Sequence, residues 1–201
     1  MKLYYSPGAC SLSPHIALRE AGLAFDLVRV DLATRKTEIG DDFRAVNPNG
    51  YVPVLILDDG TVLMEGPAIV QYVADQAPGK HLAPENGTLP RYRLQSLLNF
   101  ISTELHKSFT PLFNPAASED WKQAARDVIA ERLTYLQGQM AGPYLLGEQF
   151  SVADGYLFTV LGWCKYVNFD LSPWPRLGEY LGRIAARPAV LEALKAEGLV
   201  K

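Results

Sequence analysis

Sulfur and imidazole are scarce in this chain: Cys10 and Cys164 are its two cysteines, and His15, His81 and His106 its three histidines. None of the five stands at metal-ligand spacing from another, so no metal is expected. No apolar run nears the roughly 18 residues a membrane span needs, which argues against a membrane partner. Basic runs are missing too: 19 Lys and Arg are dispersed among 22 Asp and Glu for a net charge of −3, so nucleic acid is not an expected partner. The chain opens on a strand rather than on a charged and apolar leader, which points to a cytoplasmic location. A reducing compartment would oppose a disulfide between the distant cysteines.

What the chain does have is apolar bulk. At 201 residues and 48% hydrophobic composition it can bury a substantial core, as one large domain or two small ones. The first eighty residues alternate strand and helix signals. Lys2-Leu3-Tyr4-Tyr5 reads as a strand, the turn Ser6-Pro7-Gly8-Ala9 follows, and a helix runs from about Ser11 to Ala21, where Gly22 supplies a left-handed stop. Residues 25–30 read as a second strand, and a short helix ends before Asn47-Pro48. Residues 54–57 and 61–64 flank Asp58-Asp59-Gly60 as a hairpin, and a further helix opens at Gly66-Pro67. The order β-α-β-α-β-β-α implies a small mixed sheet with helices, the thioredoxin-like arrangement. A tract rich in Pro and Gly, residues 77–87, then reads as a linker. Beyond it only helix signals appear, over residues 89–108, 118–140, 152–166, 174–186 and 189–197. The expected fold is an α/β thioredoxin-like domain at 1–80 followed by an all-α domain at 88–201.

Four constellations carry chemistry. Cys10 lies between a glycine-containing turn and a helix start, where unpaired N–H groups and the dipole can lower a thiol from about 8.5 to about 3.5–7.5. The plain alternative is a small buried apolar residue. Cys10-Ser11-Leu12-Ser13 has the spacing of a redox CxxC with serine in place of the second cysteine, so a sulfur partner must come from elsewhere. Tyr51-Val52-Pro53 enters a strand after Gly50; in this strand order such a proline is expected to be cis, leaving Val52 N–H and C=O to pair with an extended peptide. Glu65-Gly66-Pro67 opens a helix whose first N–H groups suit a carboxylate while Glu65 suits an ammonium, although Glu65 as a simple dipole complement explains the pattern nearly as well. Asn99, Thr103 and His106, spaced four and three apart beside Glu104 and Lys107, make a polar face that is either functional or merely solvated. Arg35 is a lone cation in the polar segment after strand two. Ser151-Val152-Ala153-Asp154 is a capping box with Asp at its third position, a folding device whose loss should cost on the order of 1 kcal/mol.

Together these residues resemble the bacterial beta-class glutathione transferases: residues 1–11, 47–53, 65–69, 104–107 and 151–154 carry the likeness along the whole chain, nearest to members tied to breakdown of aromatic compounds. The resemblance implies a homodimer that uses glutathione as co-substrate in detoxification. It makes Cys10 the active-site cysteine, able to form a mixed disulfide with glutathione, and His106 a second catalytic group near the sulfur. Val52 would pair with the cysteinyl unit, and Glu65 and Gly66 with the γ-glutamyl end. Arg35 would meet the glycyl carboxylate, and Asn99, Thr103, Glu104 and Leu105 would line the same cleft. Tyr5, Leu32, Phe109, Phe113, Trp163 and Tyr166 are the candidates to line the apolar side for the second substrate, with a place in the ordinary core as the equal alternative. The implied reaction conjugates or reductively exchanges glutathione with small hydrophobic electrophiles, chlorinated aromatics among them. A thiol-disulfide reductase and a non-catalytic glutathione-binding protein are the alternatives on the same fold.

Overall fold

A computed structural model describes residues 1–140 and 142–201. The chain divides into two compact units, Met1–Ala83 with Ala186–Lys201, and Pro84–Ala185. The division falls inside the Pro- and Gly-rich tract, but it departs from the expected 88–201 in one respect. The last sixteen residues belong to the first unit. Their helix α8 (Pro188–Ala196) packs along α1 (Leu12–Ala21).

The first unit is thioredoxin-like. Its sheet runs β3-β2-β1-β4-β5, from β1 (Lys2–Tyr5), β2 (Asp26–Asp31), β3 (Lys36–Thr37), β4 (Val54–Ile56) and β5 (Val62–Met64). The β1–β2 pair is parallel and the others antiparallel. Helix α1 makes the parallel crossover and α2 (Gly66–Gln76) follows the hairpin. Alternation along the strands buries both faces. Tyr4, Val30 and Val54 join Phe43 and Val52 in one cluster, while Leu3 and Leu55, one residue out of step and opposite each other, are fully buried away from it. The two-residue β3 has no periodic signal of its own, and it occupies what the sequence shows only as a polar segment.

The second unit is helical. Helix α3 (Leu89–Phe100) continues through a wide π-type segment, Ile101–His106, and a short turn, Lys107–Phe109, into α4 (Thr110–Phe113). Leu94, Leu98, Ile101, Leu105 and Phe109 form its buried stripe. Helix α5 (Glu119–Gln139) buries Ala125, Ile129, Leu133 and Leu136 at spacings of four, four and three. Every residue of α6 (Val152–Leu161) is buried, so this helix is the unit's centre, and α7 (Pro175–Ala185) packs against it. Among the described residues no helix is long and apolar enough to cross a membrane.

Candidate active site

The turn that delivers Cys10 is built from Pro7 and Gly8. Gly8 has φ +71°, which glycine adopts without a Cβ penalty, and Ala9 N–H closes the turn on Ser6 C=O at 3.0 Å. Ser11, at the start of α1, makes no side-chain cap to the helix. Its Oγ accepts from Ser6 N–H at 3.1 Å and donates to Ser6 C=O at 3.2 Å, so it ties the two ends of the Cys10 turn together. A residue the sequence does not single out holds the turn from the other end of the chain. Glu197, just past α8, accepts from Gly8 N–H at 2.8 Å through one oxygen and meets His15 Nδ1 at 2.8 Å through the other. Arg19 Nε donates to His15 Nε2 at 2.9 Å. Since a guanidinium can only donate, Nε2 is the accepting nitrogen and the His15 proton sits on Nδ1, aimed at Glu197.

Cys10, half-buried, donates its S–H to Val52 C=O at 3.2 Å. That is a contact a thiol makes and a thiolate cannot, and it opposes the helix start, which favours the anion. The Val52-Pro53 bond is cis, as expected from the sequence. The β1–β4 ladder ends at Tyr4 and Val54, so Val52 lies beyond it, and its N–H has no partner among the described residues. Buried Asn47 shapes the preceding loop, donating to Tyr51 C=O at 2.7 Å while its Oδ1 accepts from Asn49 N–H at 3.1 Å.

The other expected residues of this unit converge on the same peptide. Arg35, at φ +58°, lays its guanidinium 5.9 Å from the Tyr51 ring centroid. It leans so closely on Gly50 that a Cβ there would stand 3.1 Å from its Nε. Gly66 starts α2 against Pro53, whose ring carbon would lie 3.8 Å from an added Cβ. Glu65 precedes it at φ +66°, ψ 113°, a conformation L residues rarely adopt and one that costs on the order of 1–3 kcal/mol. Its exposed carboxylate has no partner among the described residues. The unit thus presents, in a chain of direct contacts, a thiol, an unpaired peptide N–H, a helix N-terminus with a carboxylate, and a cation.

In the second unit the expected polar face divides. Asn99 and Thr103 are exposed, with Thr103 Oγ1 donating to Asn99 C=O at 3.0 Å. Glu104 is occupied by Arg132, whose Nε donates to it at 2.9 Å. The Leu105 side chain is fully buried, so only its backbone could face a ligand. His106 goes its own way: Nδ1 lies 2.8 Å from Tyr156 Oη, and its ring stands edge-on to Trp163 at 4.8 Å between centroids. Burial, with a smaller push from Lys107, holds this imidazole down to about 4.

Of the expected aromatic lining, Phe109, Phe113 and Trp163 form one edge-to-face cluster with His106. Tyr5 is a core residue beside His15, Leu32 packs on the Tyr4 cluster, and Tyr166 is half-exposed under Lys165. No group of three or more His, Cys, Asp or Glu among the described residues could hold a metal ion. Sequence reasoning missed Glu197, Arg132 and Tyr156, whose partners lie far along the chain, and gave Asn47, inside the 47–53 motif, no role of its own.

Comparison with known proteins agrees in both halves. Residues 8–76 match the model of the glutathione S-transferase N-terminal domain, and residues 119–183 that of the C-terminal domain. The chain is 48% identical to glutathione S-transferase GstA of Escherichia coli O157:H7 over 200 residues, covering 99% of this chain and all of the relative. It is similar to the solved ternary complex of BphK, a bacterial glutathione transferase, at 67% identity and TM-score 0.97, covering 98% and 100% of the two chains. It is similar as well to the beta-class enzyme of Sphingomonas chungbukensis, at 57% identity and TM-score 0.96 over the whole of both.

Proposed function

Because the chain belongs to the bacterial beta class of the glutathione S-transferases, enzymes whose co-substrate is glutathione, we propose that it joins the glutathione sulfur to small hydrophobic electrophiles and that Cys10 can exchange disulfides with the same thiol. The observation that carries this reading is the Val52 peptide, with an unpaired N–H and a carbonyl 3.2 Å from Cys10 Sγ. An extended tripeptide laid there adds a short strand, N–H to C=O and C=O to N–H, which brings its own cysteine beside Cys10. Its γ-glutamyl end then meets Glu65 through the ammonium and the Gly66 N–H through the carboxylate. Arg35 takes the glycyl carboxylate as a charge-assisted pair.

In conjugation the thiolate attacks the electrophilic carbon, a C–S bond forms, the leaving group departs with its electron pair, and the thiol proton passes to solvent. In disulfide exchange Cys10 attacks oxidised glutathione, giving the Cys10–glutathione disulfide and one reduced glutathione. From the family likeness we assign His106 to the glutathione sulfur, and Asn99, Thr103, Glu104 and the Leu105 backbone to binding in the same reaction. The Phe109, Phe113 and Trp163 cluster favours aromatic electrophiles, chlorinated ones included, through edge-to-face contacts. The working form is a cytoplasmic homodimer.

Calorimetry with reduced glutathione, paired with an electrophile panel read by mass spectrometry, tests the reading. Uptake and a thioether product are expected, and Glu65→Gln should weaken uptake at least tenfold. Oxidised glutathione or freed halide without a thioether would turn the assignment to a reductase; no uptake at millimolar thiol would end it.

A further inference from the structure

His106 is held by one partner on one nitrogen. Tyr156, in the centre of α6 and 3% exposed, places its Oη 2.8 Å from Nδ1, with the two rings edge-on at 84°. The other nitrogen, Nε2, has no partner among the described residues. Trp163 stands edge-on to the His106 ring, at 71° between the two planes and 4.8 Å between centroids, so the imidazole cannot turn freely to exchange its two nitrogens. A phenol is the better donor of this pair, because its lone pair is delocalised into the ring while a neutral imidazole nitrogen offers its lone pair in the ring plane.

We propose that Tyr156 is a positioning residue for His106: its hydroxyl donates to Nδ1, confines the proton to Nε2, and makes the imidazole a neutral hydrogen-bond donor to the sulfur anion rather than the base that creates it. This rests on the assignment of His106 to the thiol made above. A ring whose accepting nitrogen is already occupied has no lone pair left for the thiol proton. The low affinity of this ring for a second proton agrees, since burial keeps it neutral and leaves Nε2–H as its single donor. A neutral donor still stabilises an anion, by a charge-assisted bond in a partly dry site. Tyr156 therefore acts through His106, in the way that an outer partner fixes the tautomer of a ligating histidine.

The test reads the tautomer directly. In protein carrying nitrogen-15 histidine, with His106 assigned by the signal lost in His106→Gln, long-range proton–nitrogen spectra at neutral pH should show Nδ1 unprotonated and Nε2 protonated. Tyr156→Phe should move both signals toward an exchange average and lower kcat by about tenfold, with the KM for glutathione unchanged. His106→Gln, which can place an N–H near the Nε2 position, should retain more turnover than His106→Ala, which has no donor. A proton found on Nδ1 in the parent protein would overturn the proposal whether or not the variants fold. Unchanged nitrogen signals and kcat in Tyr156→Phe, or equal loss in the Gln and Ala variants, would do the same. Failure of the parent protein to bind glutathione in calorimetry would remove the sulfur as the partner of His106, while the nitrogen signals would still decide which tautomer Tyr156 holds.

Discussion

Replacing Glu197 by alanine should loosen the turn that carries Cys10 even though the two residues are nearly the whole chain apart. The Glu197 side chain is fully buried, and its two oxygens each meet a donor at 2.8 Å, Gly8 N–H and His15 Nδ1. Bonds to a charged acceptor contribute about 1.5–3 kcal/mol each, so the pair is worth about 3–6 kcal/mol. In a chain of this size each kcal/mol moves Tm by about 2–4 °C, so Glu197→Ala should melt about 6–24 °C below the parent. Glu197→Gln keeps one acceptor and should lose about half as much. Thermal melts by circular dichroism give the size, and exchange of the Gly8 amide should accelerate before that of the β1 amides. Glu192→Ala is the control: its pair with Arg19 at 3.2 Å is 64% exposed on the Glu side, and such pairs contribute about 0–1 kcal/mol. A Glu197→Ala protein melting within about 2 °C of the parent would refute the reasoning, because a loss that small is what an exposed ion pair gives.

Asp154 should prove far more than a helix cap. It accepts from Leu145 N–H, Ser151 N–H, Ser151 Oγ and Tyr180 Oη, all at 2.7–3.0 Å with no exposure, so Asp154→Ala should cost over about 3 kcal/mol in urea unfolding rather than the 1 kcal/mol of a cap alone. His106 should make the fold acid-sensitive over a defined window: with its folded value depressed from 6.5 to about 4, the unfolded chain binds the extra proton between them. Its stabilisation of roughly 3 kcal/mol is therefore complete above 6.5 and lost as pH falls to about 4, and His106→Gln should flatten that part of a stability–pH curve. Iodoacetamide at neutral pH should label Cys10 once in the folded protein and spare Cys164, whose thiol burial pushes up to about 12; equal labelling of both would show Cys164 to be accessible.

What the sequence discloses and what it hides divide along one physical line, the separation between partners. The hairpin, the Gly22 stop and the Ser151–Asp154 box are contacts over a few residues, and each leaves a pattern of residue types that the structure repeats. The cis Val52-Pro53 bond was legible only through the order of strands around it. Glu197 and Tyr156 belong to neither kind. They meet Gly8 and His106 across 189 and 50 residues, and a single Glu just past a helix or Tyr within one has the same local appearance whether it faces solvent or a site. The same limit explains the polar face on Asn99, Thr103 and His106. Regular helical spacing puts all three together, but the backbone widens from Ile101 to His106, so the face the spacing draws is not the one the chain presents. The widening is where His106 leaves the exposed side of α3 and turns into contact with Tyr156 and Trp163. Such wide turns disturb the helix they interrupt and recur at functional positions, which is the physical reason a strictly periodic reading fails at the residue it most needs to place.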